Sequence, residues 1–294
     1  GHEGGKFYLA DANKENVLNI GGQIQFQFHL NSRDDDAGLD ANDNDLTTGF
    51  QTRRTKLELS GKVANKFGYK VVGAFDRDGG SFELEDAFVS YDFGEGWEVM
   101  WGQFKLPYLR EELVSSKYQL AGARSLTNAA FNQDRSQGIQ VGYTAEQFRF
   151  MAALSDGART VNTPFDSESE ADYAITARGE FMWSGNDWKR WSDFTSWRGN
   201  DFAGMAGAAL HWQDGGETVA TTDAEFLGLT ADVSVEGNGW NAFAAAIWQR
   251  TEPDGGESSD DFGVVVQGGI FVADQWELFG RYDIIIPDDD RAAD

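Results

Sequence analysis

The feature that most limits what this chain can fold into is a period-two alternation of apolar and polar residues, recurring in runs of about ten residues. In residues 82–93, Ala87, Val89, Tyr91 and Phe93 share one face while Asp86, Phe88, Ser90 and Asp92 share the other. A Gly-Glu-Gly turn leads from this run into a second, residues 97–105. Alternation of this kind puts one greasy and one polar side on a strand, and it cannot be worn by a helix.

Comparable runs fall at 17–30, 50–61, 69–75, 138–144, 147–155, 172–183, 203–213, 224–235, 240–249, 262–272 and 275–285. About thirteen strands of this length match what is needed to cross a bilayer at a steep tilt. The connections alternate too. GKVANKF, GEG, TAE, EGNG and VAD are brief, whereas 31–48, 106–135, 157–171, 214–223 and 251–260 are longer and mostly acidic. Short turns at one end and long loops at the other are the pattern of an antiparallel transmembrane β-barrel. Two connections depart from it: RDGGS is short where a long loop is due, and 184–201 is long on the turn side. Trp97, Trp101, Trp183, Trp212, Trp248, Trp276 and Tyr282 fall near strand ends, where a barrel carries its interfacial rings.

Composition supports the same class. At 294 residues, without a Pro- or Ser-rich linker, one all-β domain is expected, with residues 1–16 as a lead-in segment and 17–294 as the barrel. Mean hydropathy is −0.49, and no stretch approaches the roughly 20 apolar residues of a spanning helix. A barrel escapes that test because its lipid face occupies only alternate residues. The absence of Cys removes disulfides, thiolate metal sites and Cys nucleophiles. The 49 acidic against 24 basic residues give a formal charge of −25, which argues against nucleic acid as a partner. The N-terminal residues show no export signal, and the acidic end IIIPDDDRAAD reads as a loop, so further C-terminal strands are expected.

The blocks FQTRRTKLELSGKV, LEDAFVSYDF, WGQFKLPYLREELVSS, ARSLTNAAFNQDRSQGIQVGY and GVVVQGGIFVADQWELFGRYD resemble, in order, the phosphate-selective porin O and P family, from about Leu18 to Asp283. The resemblance implies an outer-membrane barrel of sixteen strands, about three more than the chain holds. It also implies a homotrimer set in outer-membrane lipid and lipopolysaccharide, and a third outer loop folded inward to narrow the pore. Residues 106–135, unpatterned and following the fifth strand, are expected to be that loop.

A diffusion pore takes its size limit and ion preference from its narrowest point. The groups expected there are Arg54, Lys56, Lys70 and Lys105 on inward strand positions, and Arg110, Glu111, Glu112, Lys117, Arg124, Asp134 and Arg135 on the loop. A basic cluster would favour phosphate, but the inner faces also carry Glu58, Asp76, Asp86, Asp92, Glu180, Asp232, Glu277 and Asp283. The expectation is therefore passive diffusion of ions and small hydrophilic solutes with weak or cation-leaning selectivity. The alternatives are an anion- or phosphate-selective porin, and a surface structural or sugar-binding β-protein.

No cofactor is expected, apart from a structural Ca²⁺ for which Asp34, Asp36, Asp40, Asp43 and Asp45 offer hard oxygen ligands. An EF-hand frame starting at Asp40 fails, lacking Gly at its sixth position and Glu at its twelfth. An enzyme is not expected, because only His2, His29 and His211 are available to a Ser-His type of site. The Trp-rich connection WSGNDWKRWSDFTSWRGND is expected to plug against the barrel rim or meet another subunit.

Overall fold

A computed structural model describes residues 1–3, 6–32, 46–75 and 80–289. The acidic loop with the Ca²⁺ candidates Asp34, Asp36, Asp40, Asp43 and Asp45 lies outside the described residues, as does Asp76. The chain divides into two compact units, 1–87 and 88–294.

The first unit holds β1 (His2–Glu3), β2 (Lys6–Ala10), β3 (Val17–Ser32), β4 (Leu46–Val63) and β5 (Phe67–Phe75), each paired antiparallel with its chain neighbour. Residues 1–16, read from the sequence as a lead-in, thus carry two strands, and Phe7 to Ala10 pair with Ile20 to Val17. Their alternation is too short to be recognised alone. In β3 the apolar side, Ile20, Ile24, Phe26, Phe28 and Leu30, faces outward, while Gln23, Gln25 and Gln27 are half-buried opposite.

β6 (Phe82–Gly94) runs across the division. The second unit continues with β7 (Trp97–Lys105), β8 (Arg135–Thr144), β9 (Phe148–Ser155), β10 (Tyr173–Ser184), β11 (Ala203–Asp214), β12 (Ala224–Gly237), β13 (Trp240–Pro253), β14 (Ser259–Ala273) and β15 (Trp276–Ile286). From β7 onward every strand pairs antiparallel with the next. Two short helices, α1 (Arg110–Leu113) and α2 (Leu126–Phe131), lie between β7 and β8. Among the described residues no helix is long and apolar enough to cross a membrane. The strands from Val17 onward are the thirteen runs read from the alternation, with bounds shifted by a few residues.

The second unit inverts the burial pattern of a water-soluble protein. On β10, Thr176, Arg178 and Glu180 are buried while Ile175, Phe181 and Trp183 are exposed. The contrast repeats on β12, with Asp232 and Ser234 inside and Leu229 and Val233 outside, and on β14, where Gln267 is 3 % and Ile270 55 % exposed. A contiguous apolar surface of this extent is unfavourable in water but is what hydrocarbon requires, and strands paired on both sides keep their backbone polar groups engaged with one another. Aromatic rings mark the turn-side ends, in the pairs Trp97 with Tyr143 (4.7 Å), Phe148 with Phe181 (4.8 Å) and Phe202 with Trp240 (6.3 Å). At the other end Tyr173 meets Trp212 at 5.3 Å, and Tyr282 is exposed. Rings with an apolar body and a polar edge suit the two interfaces of a bilayer.

Candidate functional site

Residues 106–135 leave the sheet at Lys105 and return at Arg135, which are themselves a paired position of β7 and β8. The loop folds onto the inner face of the second unit, and Leu106, Tyr108, Leu109, Val114 and Phe131 are buried there. Helices of four and six residues have no stability of their own in water, so side chains must hold them.

Glu112 is the centre of that hold. Its carboxylate meets Lys105 Nζ at 2.8 Å and Arg124 Nε at 3.2 Å, and accepts from Asn128 Nδ2 at 3.0 Å. Lys105 also donates to the Glu112 carbonyl at 2.6 Å. Arg124 donates to the carbonyls of Glu111, Glu112 and Val114 at 3.0 to 3.2 Å, satisfying acceptors that a single helical turn leaves open. Glu111 accepts from the amide of Ser125 at 2.7 Å and from its hydroxyl at 2.6 Å, while the same hydroxyl caps α2 by accepting from Asn128 N. Burial works against ionisation of both carboxyls. At Glu112 the cations Lys105 and Arg124 outweigh it and hold the pKa below the ordinary value; at Glu111 burial prevails over Ser125 and raises it.

The wall side of the site is an ion network. Arg178, 0 % exposed, donates to Glu180 at 2.8 Å, to Asp232 at 2.8 Å and to the carbonyl of Tyr108 at 3.0 Å. A Cβ at Gly207 would collide with its guanidinium, and one at Gly228 would sit 2.6 Å from the Tyr108 hydroxyl. Glycine at these inward positions makes room for the arginine and for the loop. Further along, Asp283 accepts from Thr127 N at 3.1 Å, and the carbonyls of Phe131 and Ala123 accept from Gln249 and Arg281 at 2.9 and 2.8 Å. With the Val264 carbonyl on β14 accepting from the Thr127 hydroxyl at 3.3 Å, strands β10 to β15 each contribute either a contact or a neighbouring wall group to the seating of this loop.

A second loop, 156–172, braces the first. Arg159 takes left-handed φ (59°) and donates to the carbonyls of Ala130 (2.6 Å) and Asn132 (3.1 Å) at the end of α2, where a cation complements the helix dipole. The brace is fastened to the wall by Gln213, whose Oε1 accepts from Ala158 N at 2.9 Å and lies 3.1 Å from His211 Nε2. An acceptor there makes Nε2 the protonated nitrogen of His211, which leaves Nδ1 to accept from the Thr176 hydroxyl at 2.7 Å. His211 is thus a structural link, not one arm of a hydrolytic site. Gln213→Leu should orphan the Ala158 amide and the His211 N–H and cost about 2 kcal/mol, read as a lower melting temperature in detergent.

Of the residues picked from the sequence, Lys105, Glu111, Glu112 and Arg124 come together around α1. Arg110 points elsewhere, to Ser234 Oγ at 2.8 Å and the carbonyl of Trp191 at 2.9 Å, and Lys117 is on the exposed part of the loop. Asp134, with φ of 48°, pairs with Arg135 at 3.0 Å at the loop's return. Arg54, Lys56 and Lys70 belong to the first unit, where Lys56 pairs with Glu85, Lys70 with Asp86 at 2.8 Å, and Arg54 donates to Gln25. Sequence reasoning missed Arg178, although it shares inward parity with Glu180 two residues on. Among the described residues no cluster of three or more metal-binding side chains occurs.

The family model for phosphate-selective porin O and P matches residues 23–291. Among solved structures, the chain is similar to the anion-selective porin from Comamonas acidovorans, at 15 % identity over 93 % of this chain and 80 % of that one, with a TM-score of 0.66. It is also similar to the outer membrane channel DcaP of Acinetobacter baumannii, at 16 % identity over 96 % and 81 % of the two chains and a TM-score of 0.60. No curated protein matches the sequence. At these identities the structural likeness speaks for the fold, and the match across nearly the whole sequence speaks for the family. The inside-out burial, the paired strands, the ring belts and the inward-folded loop agree with both: the chain is a member of the phosphate-selective porin O and P family, non-enzymatic β-barrel channels of the bacterial outer membrane.

Proposed function

We propose that the chain forms a passive diffusion pore for ions and small hydrophilic solutes, narrowed by loop 106–135, with weak or cation-leaning selectivity. The observation that carries this reading is how the loop's basic groups are engaged. Lys105 and Arg124 close on Glu112 and on backbone carbonyls, Arg110 is buried, and Arg135 pairs with Asp134. A cation neutralised by a neighbour a few ångströms away offers little field to a passing anion. The formal charge of −25 then favours cations in the approach to the pore. We further propose a homotrimer in outer-membrane lipid and lipopolysaccharide, in keeping with the exposed apolar bands and aromatic belts.

An anion-selective pore is the second reading, favoured by the family's description and by the likeness to an anion-selective porin. The reversal potential in a planar bilayer under a KCl gradient separates the two. The expected value shows a mild cation preference. A strong anion preference would overturn the assignment and point to phosphate or another oxyanion as the solute.

A further inference from the structure

The connection between β10 and β11, residues 185–202, stands out because its neighbours on the same side are tight turns of two or three residues, such as 95–96, 145–147, 238–239 and 274–275. It does not hang free. A 3-10 turn at Trp188–Ser192, capped by Asp187, carries the Trp191 ring into a buried cluster with Met182, Ala203 and Met205 on the inner wall. Trp188 Nε1 donates to the carbonyl of Ala145 at 2.8 Å, and Arg190 pairs with Glu236 at 2.6 Å. Downstream, Thr195 donates to Glu277 and Ser196 to the carbonyl of Gly237, so both ends of the segment are tied to the wall.

The segment also touches loop 106–135, which enters from the opposite ends of the strands. Phe194 packs with Val114 of the loop and with Phe243, Ala245 and Val265 of the wall, and its amide donates to the carbonyl of Tyr118 at 3.1 Å. Arg110 joins the two pieces. Its guanidinium lies 5.5 Å from the Trp191 ring and 5.2 Å from the Phe194 ring, and donates to the Trp191 carbonyl. A desolvated arginine over aromatic faces is a strong and directional contact, because the planar cation satisfies ring and carbonyl together.

We propose that residues 185–202 form an internal seat that sets the depth of loop 106–135, with Arg110 as the positioning residue that locks loop to seat. This rests on the pore reading for its consequence, since a loop held from below cannot swing toward the wall ends or away from them. Permeation is then governed by two elements sharing one cation. Loosening either should release the other.

The absence of native cysteine makes a direct test simple. Val114→Cys places a thiol beneath Phe194, where it should react slowly with a maleimide in the detergent-solubilised protein. Adding Arg110→Met, or Trp191→Leu as a second variant that leaves the cation in place, should speed labelling about tenfold. The same two substitutions without the cysteine should raise single-channel conductance about twofold and add open-channel noise. Unchanged labelling in folded protein overturns the seat. Faster labelling in a protein that forms no channels supports the seat and overturns the pore reading instead. Channels whose conductance ignores both substitutions, although labelling quickens, would overturn the claim that the seat governs permeation.

Discussion

Replacing Glu112 with Gln is expected to free loop 106–135, raise single-channel conductance and move the reversal potential toward anions. The carboxylate is the shared counter-ion of Lys105 and Arg124, whose side chains are only 18 % and 15 % exposed, and it also accepts from Asn128. Removing one member of a largely buried ion cluster leaves charges that water cannot fully solvate, at a cost of about 3 kcal/mol. That corresponds to a shift on the order of a hundredfold in the seated-to-released ratio of the loop. Selectivity should change with it, because two cations lose their neutralising partner. An unaltered reversal potential and conductance in folded Glu112→Gln protein would show that the cluster lies off the permeation path.

The pH dependence follows from the two opposite shifts. Glu112 has a pKa held below its ordinary 4.5, so its contribution is full above that value and is lost as pH falls through the lowered one. Glu111 has a raised pKa, so its ionised form is a burden at neutral pH that is relieved as pH falls through the raised value. Acidification should therefore first tighten the loop slightly and then, below the ordinary carboxylate value, release it. Recordings between neutral and about pH 3 should show conductance dip and then climb in the parent protein, while Glu112→Gln should keep only the first phase.

The largest stability loss is expected at Arg178. It is wholly buried, with two carboxylates and a carbonyl on its donors, so Arg178→Met would strand Glu180 and Asp232 on either side of Gly207. Breaking a buried network by removing one partner costs about 3 to 5 kcal/mol. Arg149 still pairs with Glu180, so the heavier burden falls on Asp232. Arg178→Met combined with Asp232→Leu should recover much of the loss, because coupled sites are not additive. The melting temperature in detergent of the two single variants and the double one measures this coupling. A double variant as unstable as the sum of the singles would count against a shared network.

Much of this molecule is legible in its sequence. The alternation in VLNIGGQIQFQFHL, in the run containing FVSYDF and in VVVQGGIFV is a property of neighbouring residues, and period two maps directly onto the two faces of a strand. The same locality let residues 106–135 be singled out as an unpatterned loop, whose inward fold the family resemblance implied, and let Trp97, Trp183 and Trp276 be placed at strand ends. Arg110, Glu111, Glu112 and Arg124 were nominated together only as charges on that loop.

What the sequence could not determine is which charge faces which. Arg110 finds Trp191 and Ser234 at separations of 81 and 124 residues, and Arg178 finds Tyr108 and Asp232 at 70 and 54. Such partners are set by strand register and by the path of a returning loop, and neither is written in local periodicity. The Trp-rich segment is the clearest case: its composition announces an aromatic contact, but only the folded chain shows that the contact is with the loop from the other end of the strands. Local patterning was enough to decide wall, loop and belt, while the closing of a long-range charge network, which depends on every intervening pairing, was decided by the tertiary structure alone.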